Sequence, residues 1–503
     1  MKDEGAPSNS ATAKTGDRMI ESSGVTSIAI VGAGFTGTLL AVHILRHAQT
    51  PVSILLVEKR GAFGRGVAYS TGNPSHVLNV RAANMSAFPD DSFHFVKWLW
   101  RRDDLAAPSS SVPPSGHAFV PRGLYGRYLE EQLEDAISDA EPGVVCERLA
   151  AELVDVRPCD AGFELVFAEG DRRRAERVAL CLGHFPPRLP LDGAPRDLPI
   201  GRIIDNPWPA EALTHVPAEA SVLVLGTGLT MVDVVLSLLD RKHSGPIVAL
   251  SRRGLLPMPH AETRTYVDFL AERPLPGRVL EALMLIRNEV RAAKTERYDW
   301  RDVIDALRPR IQAIWQALDS VERRRFLRHV RPYWEVHRHR TAPAVAKRLD
   351  AAVGRGKLSI LAGRMQSIAF RDQRLVSQYV PRGGGAPSQL AADVLINCAG
   401  PECDFTRIAD PLARSLLNQG LIRPDQLGLG LETSPLGEAI GRDGRPVPGL
   451  LALGPIARGE FWELTAVPEL RSLCAVTGQR LAQSMWKHAE PFVVHDPPGS
   501  MAE

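Results

Sequence analysis

The chain has 503 residues, enough for two or three domains. Hydrophobic residues make up 44% and charged residues 23%, with a net charge of only +2, so the bulk electrostatics of a nucleic-acid or membrane-surface binder are excluded. The six cysteines, at 146, 159, 181, 398, 403 and 474, form no CxxC pair, which disfavours a disulfide framework or a disulfide reductase and suits a reducing cytoplasm.

In chain order, residues 1–24 are rich in Ser, Thr, Ala and Asp without an apolar core, which predicts a disordered tail and not a signal peptide. No later run reaches the ~20 apolar residues of a membrane span. Ser27 to Val31 is an apolar, β-branched run of strand length. Gly32-Ala33-Gly34-Phe35-Thr36-Gly37 follows, then a helix over Thr38 to Arg46 and a second strand over Ser53 to Val57 that ends at Glu58. Gly32 permits a tight turn, Gly34 lets backbone approach a pyrophosphate, and Gly37 lets helix and strand pack closely. The helix N-terminus offers N–H groups to phosphates, and Glu58 accepts from ribose hydroxyls. The unit predicts an FAD site, with Phe35 and Thr36 in the cofactor-binding set.

A second copy starts at the strand Ser221 to Leu225 and turns at Gly226-Thr227-Gly228. A helix over Val232 to Leu239 and a strand over Pro246 to Leu250 follow, and Met231 replaces the third glycine. That strand ends in Ser251-Arg252-Arg253, not in an acid. Arg252 and Arg253 would favour a 2′-phosphate or would be solvated loop charges, so NADH and NADPH both stay open. Two such units side by side predict hydride transfer from nicotinamide to flavin. Residues 274–349 read as a charged helical insertion, and 381–387 as a surface loop. Arg177 to Leu182 and Asp393 to Cys398 read as strands crossing between domains, each closed by glycine. Gly449 to Gly454 reads as a last strand reaching the flavin, and Thr465 to Ala482 as a helix whose N-terminus faces it, so Gly454 and Thr465 join the cofactor set.

The fold expectation is α/β: two Rossmann-like dinucleotide-binding domains, the NAD(P) domain inserted in a discontinuous FAD domain, with a helical insertion. The expected boundaries are a tail over 1–24, the first FAD-domain segment over 25–200, the NAD(P) domain over 201–389, the second FAD-domain segment over 390–490, and a tail over 491–503.

Several stretches carry a resemblance: Val31 to Gly37; Phe63-Gly64-Arg65-Gly66-Val67-Ala68-Tyr69-Ser70; Leu78 to Met85; Phe119 to Gly126; Val336-His337-Arg338-His339-Arg340; and Gly459 to Glu469. In these the chain resembles a bacterial FAD/NAD(P)-binding flavoprotein family that includes an FAD-dependent urate hydroxylase and a nitrosuccinate-forming aspartate N-monooxygenase. The resemblance implies an NAD(P)H-consuming monooxygenase that works through a flavin C4a-hydroperoxide, with O2 and a small molecule as partners. Hydroxylation of urate to 5-hydroxyisourate is the leading expectation. The alternatives are N-hydroxylation of an amino acid, an NAD(P)H:acceptor oxidoreductase and a non-catalytic flavin-binding redox protein.

Arg65, Tyr69, Asn79, Arg81 and Asn84 are the catalytic-site candidates, in one loop-rich stretch after the first unit. Asn79 and Asn84 would bond flavin or substrate carbonyls, and Arg81 would hold an anion; equally, all would brace the loop. Arg122 and Tyr125 read as a structural turn, and Arg338-His339-Arg340, with His337 and Trp334, as a solvent-facing helix surface or a site for nicotinamide-side phosphates or an anionic substrate. His337 and His339 are two apart and share no helix face, and no His/Cys/Asp cluster has zinc spacing, so no metal is expected.

Overall fold

The computed structural model describes residues 25–102, 115–191 and 201–483. Both expected tails, 1–24 and 491–503, lie outside them.

Two twisted sheets organise the chain. The first runs Glu438–Ile440, Pro446–Ala452, Arg177–Leu180, Thr26–Val31, Val52–Val57, Val144–Leu149. Its neighbours pair in parallel except the first two. Parallel strands are covered on both faces, which is why Ile28, Ala29 and Ile30 form one apolar run and are all buried. Helices Phe35–His47, Arg122–Ser138 and Val467–Ala482 pack on one face. An antiparallel meander over Leu153–Cys159, Gly162–Phe167 and Arg172–Ala175 covers the other, with helix Pro411–Gln419.

The second sheet runs Ser388–Ala392, Arg374–Pro381, Leu358–Arg371, Ile247–Ser251, Val222–Leu225, Val394–Asn397, Ile203–Ile204. Helices Leu229–Asp240 and Pro343–Gly354 pack on its parallel half. Met231, in place of the third glycine, is fully buried and fills the space between helix and strand.

The chain leaves the first sheet after Arg177–Leu180 and returns after Val394–Asn397, and the two crossing segments pair at Phe185 and Glu402. The strand Val394–Asn397 therefore belongs to the second sheet, beside Val222–Leu225. A boundary at 390 cuts that sheet, because a short apolar strand reads alike in either domain. Helix Pro343–Gly354 likewise belongs to the second sheet's core, so the helical insertion ends at Arg338 and not at 349. The last helix starts at Val467, two residues after Thr465. Among the described residues, no helix is long and apolar enough to cross a membrane.

Candidate active site

At the first glycine turn the three glycines do different work. Gly32 has φ +99°, and a Cβ there would overlap the carbonyl oxygen of Cys181. A Cβ on Gly37 would overlap the carbonyl of Gly32. Gly34 is different: its φ is −75°, and an added Cβ would meet only Gly66 Cα, at 3.5 Å. Protein packing does not require a bare backbone there, whereas close approach of a pyrophosphate would. Helix Phe35–His47 has no side-chain cap and no acid in its first turn, so its leading N–H groups are available to an anion. Glu58 accepts from Ala33 N at 3.0 Å and Arg60 N at 3.1 Å. That fixes the carboxylate at the strand end with acceptor capacity to spare for ribose hydroxyls. Gly454, φ +84°, brings the last strand against Thr36, whose Oγ1 would stand 2.7 Å from an added Cβ. Thr465 sits half-buried just before helix Val467–Ala482, whose N-terminus also lacks a side-chain cap. The residues present fit FAD.

The 61–70 loop lies over this turn, with Gly64 N donating to Ala33 O at 2.9 Å. Arg65 makes a bidentate pair with Glu130 at 2.6 and 2.7 Å, and Tyr69 packs edge-on against buried Tyr125, ring centroids 4.8 Å apart. Both brace the loop over the turn.

At the second turn, a Cβ on Gly226 would overlap Cys398 O, whereas Gly228 faces open space. Arg253 is engaged by the helical insertion: it reaches Tyr333 Oη at 3.2 Å and the carbonyls of Arg328 and His329. Arg382, for which the sequence pattern held no signal, reaches the same Tyr333 oxygen at 3.2 Å. Its bond, with Arg253 adding to it, holds the Tyr333 phenol below its ordinary value. Arg252 is exposed beside them. Three guanidiniums thus gather at the strand end where a 2′-phosphate would lie.

The two domains are pinned to each other. Arg122 makes a bidentate pair with Asp233 at 2.6 and 3.1 Å and also donates to Val77 O. Its side chain is 12% exposed and that of Asp233 8%, so a residue read as a local turn is a buried tie between domains. His76 bonds the Asp233 carbonyl and Ser237, and Asn73 reaches Ser237 and Asp240. The stretch after the first unit is therefore docked along helix Leu229–Asp240.

The same stretch meets the loop that follows Ser251. Arg81 reaches His117 Nδ1 at 3.1 Å and donates to Ala261 O at 2.8 Å. His260 Nε2 lies 2.9 Å from Asn79 O. Asn84 is exposed, one residue from Ala83, which packs near Gly116. Of the five catalytic-site candidates, Asn79 (through its carbonyl) and Arg81 meet the seam, joined by His117 and His260. Neither histidine lies in a recognisable motif, so no pattern signal could have found them.

A second cluster joins motifs that are distant in sequence. Glu335 accepts from Arg331 at 3.0 Å, Arg458 at 3.1 Å and His339 at 3.1 Å. Arg308 is bidentate to Glu469 at 2.8 and 3.1 Å, Trp334 donates to Glu463, and Arg338 lies 3.6 Å from Glu463 and 3.7 Å from Glu469. Trp315 stacks on Trp462 with centroids 4.8 Å apart. The helical insertion is thereby clamped onto residues 458–469. The solvent-facing reading of 338–340 is corrected: Arg340 is 2% exposed and bonded to Asp305 and His337 O, and Arg338 is 12% exposed. Arg338 faces Glu463 and Glu469 across the domain seam and Arg340 faces Asp305 of the helical insertion, contacts that helix periodicity cannot register.

Burial pushes the carboxyls of Glu335 and Glu469 up, but their cationic neighbours outweigh it. His339, Arg458 and Arg331 hold Glu335 well below its ordinary value, and Arg308 and Arg338 lower Glu469. A carboxyl depressed in the folded state stabilises it fully above the unfolded value of about 4.5 and less as pH falls through the folded one. Urea midpoints should therefore fall on acidification below about pH 4.5. In a Glu335→Gln, Glu469→Gln protein the slope over that window should flatten; an unchanged slope would mean the clamp does not titrate.

Comparisons accord with this geometry. Residues 29–185 match a family model described as FAD-NAD(P)-binding. No curated protein sequence matches the chain. An ornithine hydroxylase from Pseudomonas aeruginosa has a TM-score of 0.59 at 16% identity, covering 92% of this chain and 99% of that one. An ornithine N-hydroxylase from Kutzneria has a TM-score of 0.58 at 15%, with the same coverage. The bacillithiol disulfide reductase of Staphylococcus aureus has a TM-score of 0.51 at 13%, covering 92% and 98%. At these identities the likeness is one of fold: mixed α/β, with Rossmann-like FAD and NAD(P) domains.

Proposed function

We infer that this chain is an FAD-dependent, NAD(P)H-consuming monooxygenase that places oxygen on the nitrogen of an amino acid. The observation that carries the reading is the pair of glycine turns on two sheets held to each other by the buried Arg122–Asp233 tie. The chemistry a bound flavin supplies there is acceptance of hydride from NAD(P)H and activation of O2. The chain's own residues hold the two nucleotides in register, and the clamp of the helical insertion on 458–469 helps exclude water. The six cysteines show no CxxC spacing, which disfavours a disulfide reductase that works through such a dithiol.

The amine reading is preferred to urate. Solved structures of like fold include enzymes described as an ornithine hydroxylase and an ornithine N-hydroxylase. Arg81 suits the carboxylate of an amino acid. The test is NAD(P)H oxidation and O2 uptake by the yellow protein with L-aspartate, L-ornithine and urate in turn. A hydroxylamine or nitroso product from an amine supports the reading. Urate consumption without amine turnover would replace it, and NAD(P)H oxidation indifferent to all three would remove it.

The reading favours NADPH as donor, through Arg252 and Arg382. Arg252→Ala and Arg382→Ala should each raise the KM for NADPH ~10-fold or more, as expected for loss of a charge-assisted phosphate contact, and change that for NADH less than ~2-fold. Equal effects on both donors would mean these arginines only fold the loop.

A further inference from the structure

The geometry points to Arg81 and His260 as one head-group subsite: Arg81 takes the carboxylate of an amino-acid substrate, and Nδ1 of His260 accepts a hydrogen bond from its amine. The proposal rests on the amino-acid reading above and adds the residues that would impose it.

His260 is held from every side. Its backbone N donates to Thr341 O at 2.9 Å, and Thr341 N donates to Met258 O at 2.9 Å. Met258 N donates to Val336 O at 2.9 Å. Arg301, itself buried, donates twice to Pro259 O, at 3.0 and 2.8 Å. The imidazole is fixed as well. A carbonyl oxygen can only accept, so the 2.9 Å contact to Asn79 O puts the ring proton on Nε2. Nδ1 then carries the lone pair. Phe119 lies against the ring at 5.1 Å and fixes its plane. The Val336 to Arg340 motif thus has a purpose beyond the charge clamp: its backbone, with Thr341, is the rail on which the His260 loop is laid.

Arg81 is fixed just as closely. His117 Nδ1 and Ala261 O take two of its five N–H donors, and the rest remain for an anion. Asn79 and Arg81 face His260 and Ala261 across the seam, so the imidazole and the guanidinium are neighbours. Arg81, Arg340, Asp305, Arg301 and His117 are the charged and titratable groups around the ring. Burial, with Arg340 and Arg81 adding to it, lowers the His260 imidazole to about 4, against the pull of the Asn79 bond and Asp305. The ring is therefore a neutral acceptor at physiological pH. The guanidiniums beside this acceptor disfavour an ammonium and so favour the amine, which alone has a lone pair to receive oxygen.

The experiment uses FAD-loaded enzyme with L-aspartate, L-ornithine and urate as probes. Affinity is read from flavin difference spectra, and the His260 nitrogens from 15N NMR of histidine-labelled protein. An amino acid that binds should shift the Nδ1 resonance. His260→Phe should weaken that probe ~10-fold or more, and His260→Asn, which keeps an acceptor near the Nδ1 position, should recover most of the loss. Arg81→Ala should weaken the amino acid ~10- to 100-fold but barely affect the same amine without its carboxylate. If an amine is turned over to a hydroxylamine at unchanged KM in His260→Phe, the subsite is wrong and the function stands. If no amine binds or is turned over, both fall. If urate binds through Arg81 indifferently to His260→Phe, the subsite as an amine reader is overturned.

Discussion

A Gly34→Val protein should fold, stay soluble and purify colourless. Gly34 is the one glycine of the first turn whose bareness the protein itself does not need: its φ is −75°, and an added Cβ meets only Gly66 Cα at 3.5 Å. The open side of that backbone faces the start of helix Phe35–His47, whose uncapped N–H groups suit a pyrophosphate. Two methyl groups placed there would push the pyrophosphate away from those donors. Loss of even two charge-assisted hydrogen bonds is worth about 3 kcal/mol or more, so FAD affinity should drop ~100-fold at least. The controls are Gly32→Ala and Gly37→Ala. Each puts a Cβ onto a backbone carbonyl, and at Gly32 the φ of +99° adds strain, so these variants should lose fold and flavin together. Circular dichroism and the ratio of flavin to protein absorbance separate the cases. A yellow Gly34→Val protein would remove the FAD assignment at this turn.

The second large effect is expected at the tie between domains. Arg122→Ala or Asp233→Leu leaves one charge buried without its partner, at a site where the pair is 12% and 8% exposed. Such a loss costs about 3–5 kcal/mol. The Arg122→Met, Asp233→Leu double variant should recover much of it, because apolar replacement of a whole buried pair is often neutral. Stability and function then separate. The double variant should melt near the parent, yet the exchange of hydride between domains should slow, because the guanidinium also holds Val77 O and so the 71–84 stretch. Thermal melts with anaerobic stopped-flow reduction of the flavin by NADPH test this. Single variants as stable as the parent would show that the pair contributes nothing to holding the domains together.

The reach of sequence reading differs from residue to residue. The glycine turns are legible because each glycine answers a local backbone demand that repeats wherever a strand meets a helix over a phosphate. Arg122 reads as a turn residue because its partner, Asp233, is more than a hundred positions away and looks like any helix acid. Arg338 and Arg340 mislead for the same reason: an alternation of Arg and His reads as a solvated face until Glu463, Glu469 and Asp305 are brought against it. Arg65 and Tyr69 brace the loop over the first turn, and only Glu130 and Tyr125 in three dimensions show that.

Composition and spacing alone determined the class of the protein: two dinucleotide units, FAD first, one inserted in the other, with no CxxC pair. These follow from local rules of strand, turn and helix. The tertiary structure alone decided where the seam lies, which arginines are buried ties, and that His260 stands beside Arg81. Those facts depend on contacts between residues far apart in the chain, set by how two sheets pack, and a periodicity of two or 3.6 residues holds no record of them.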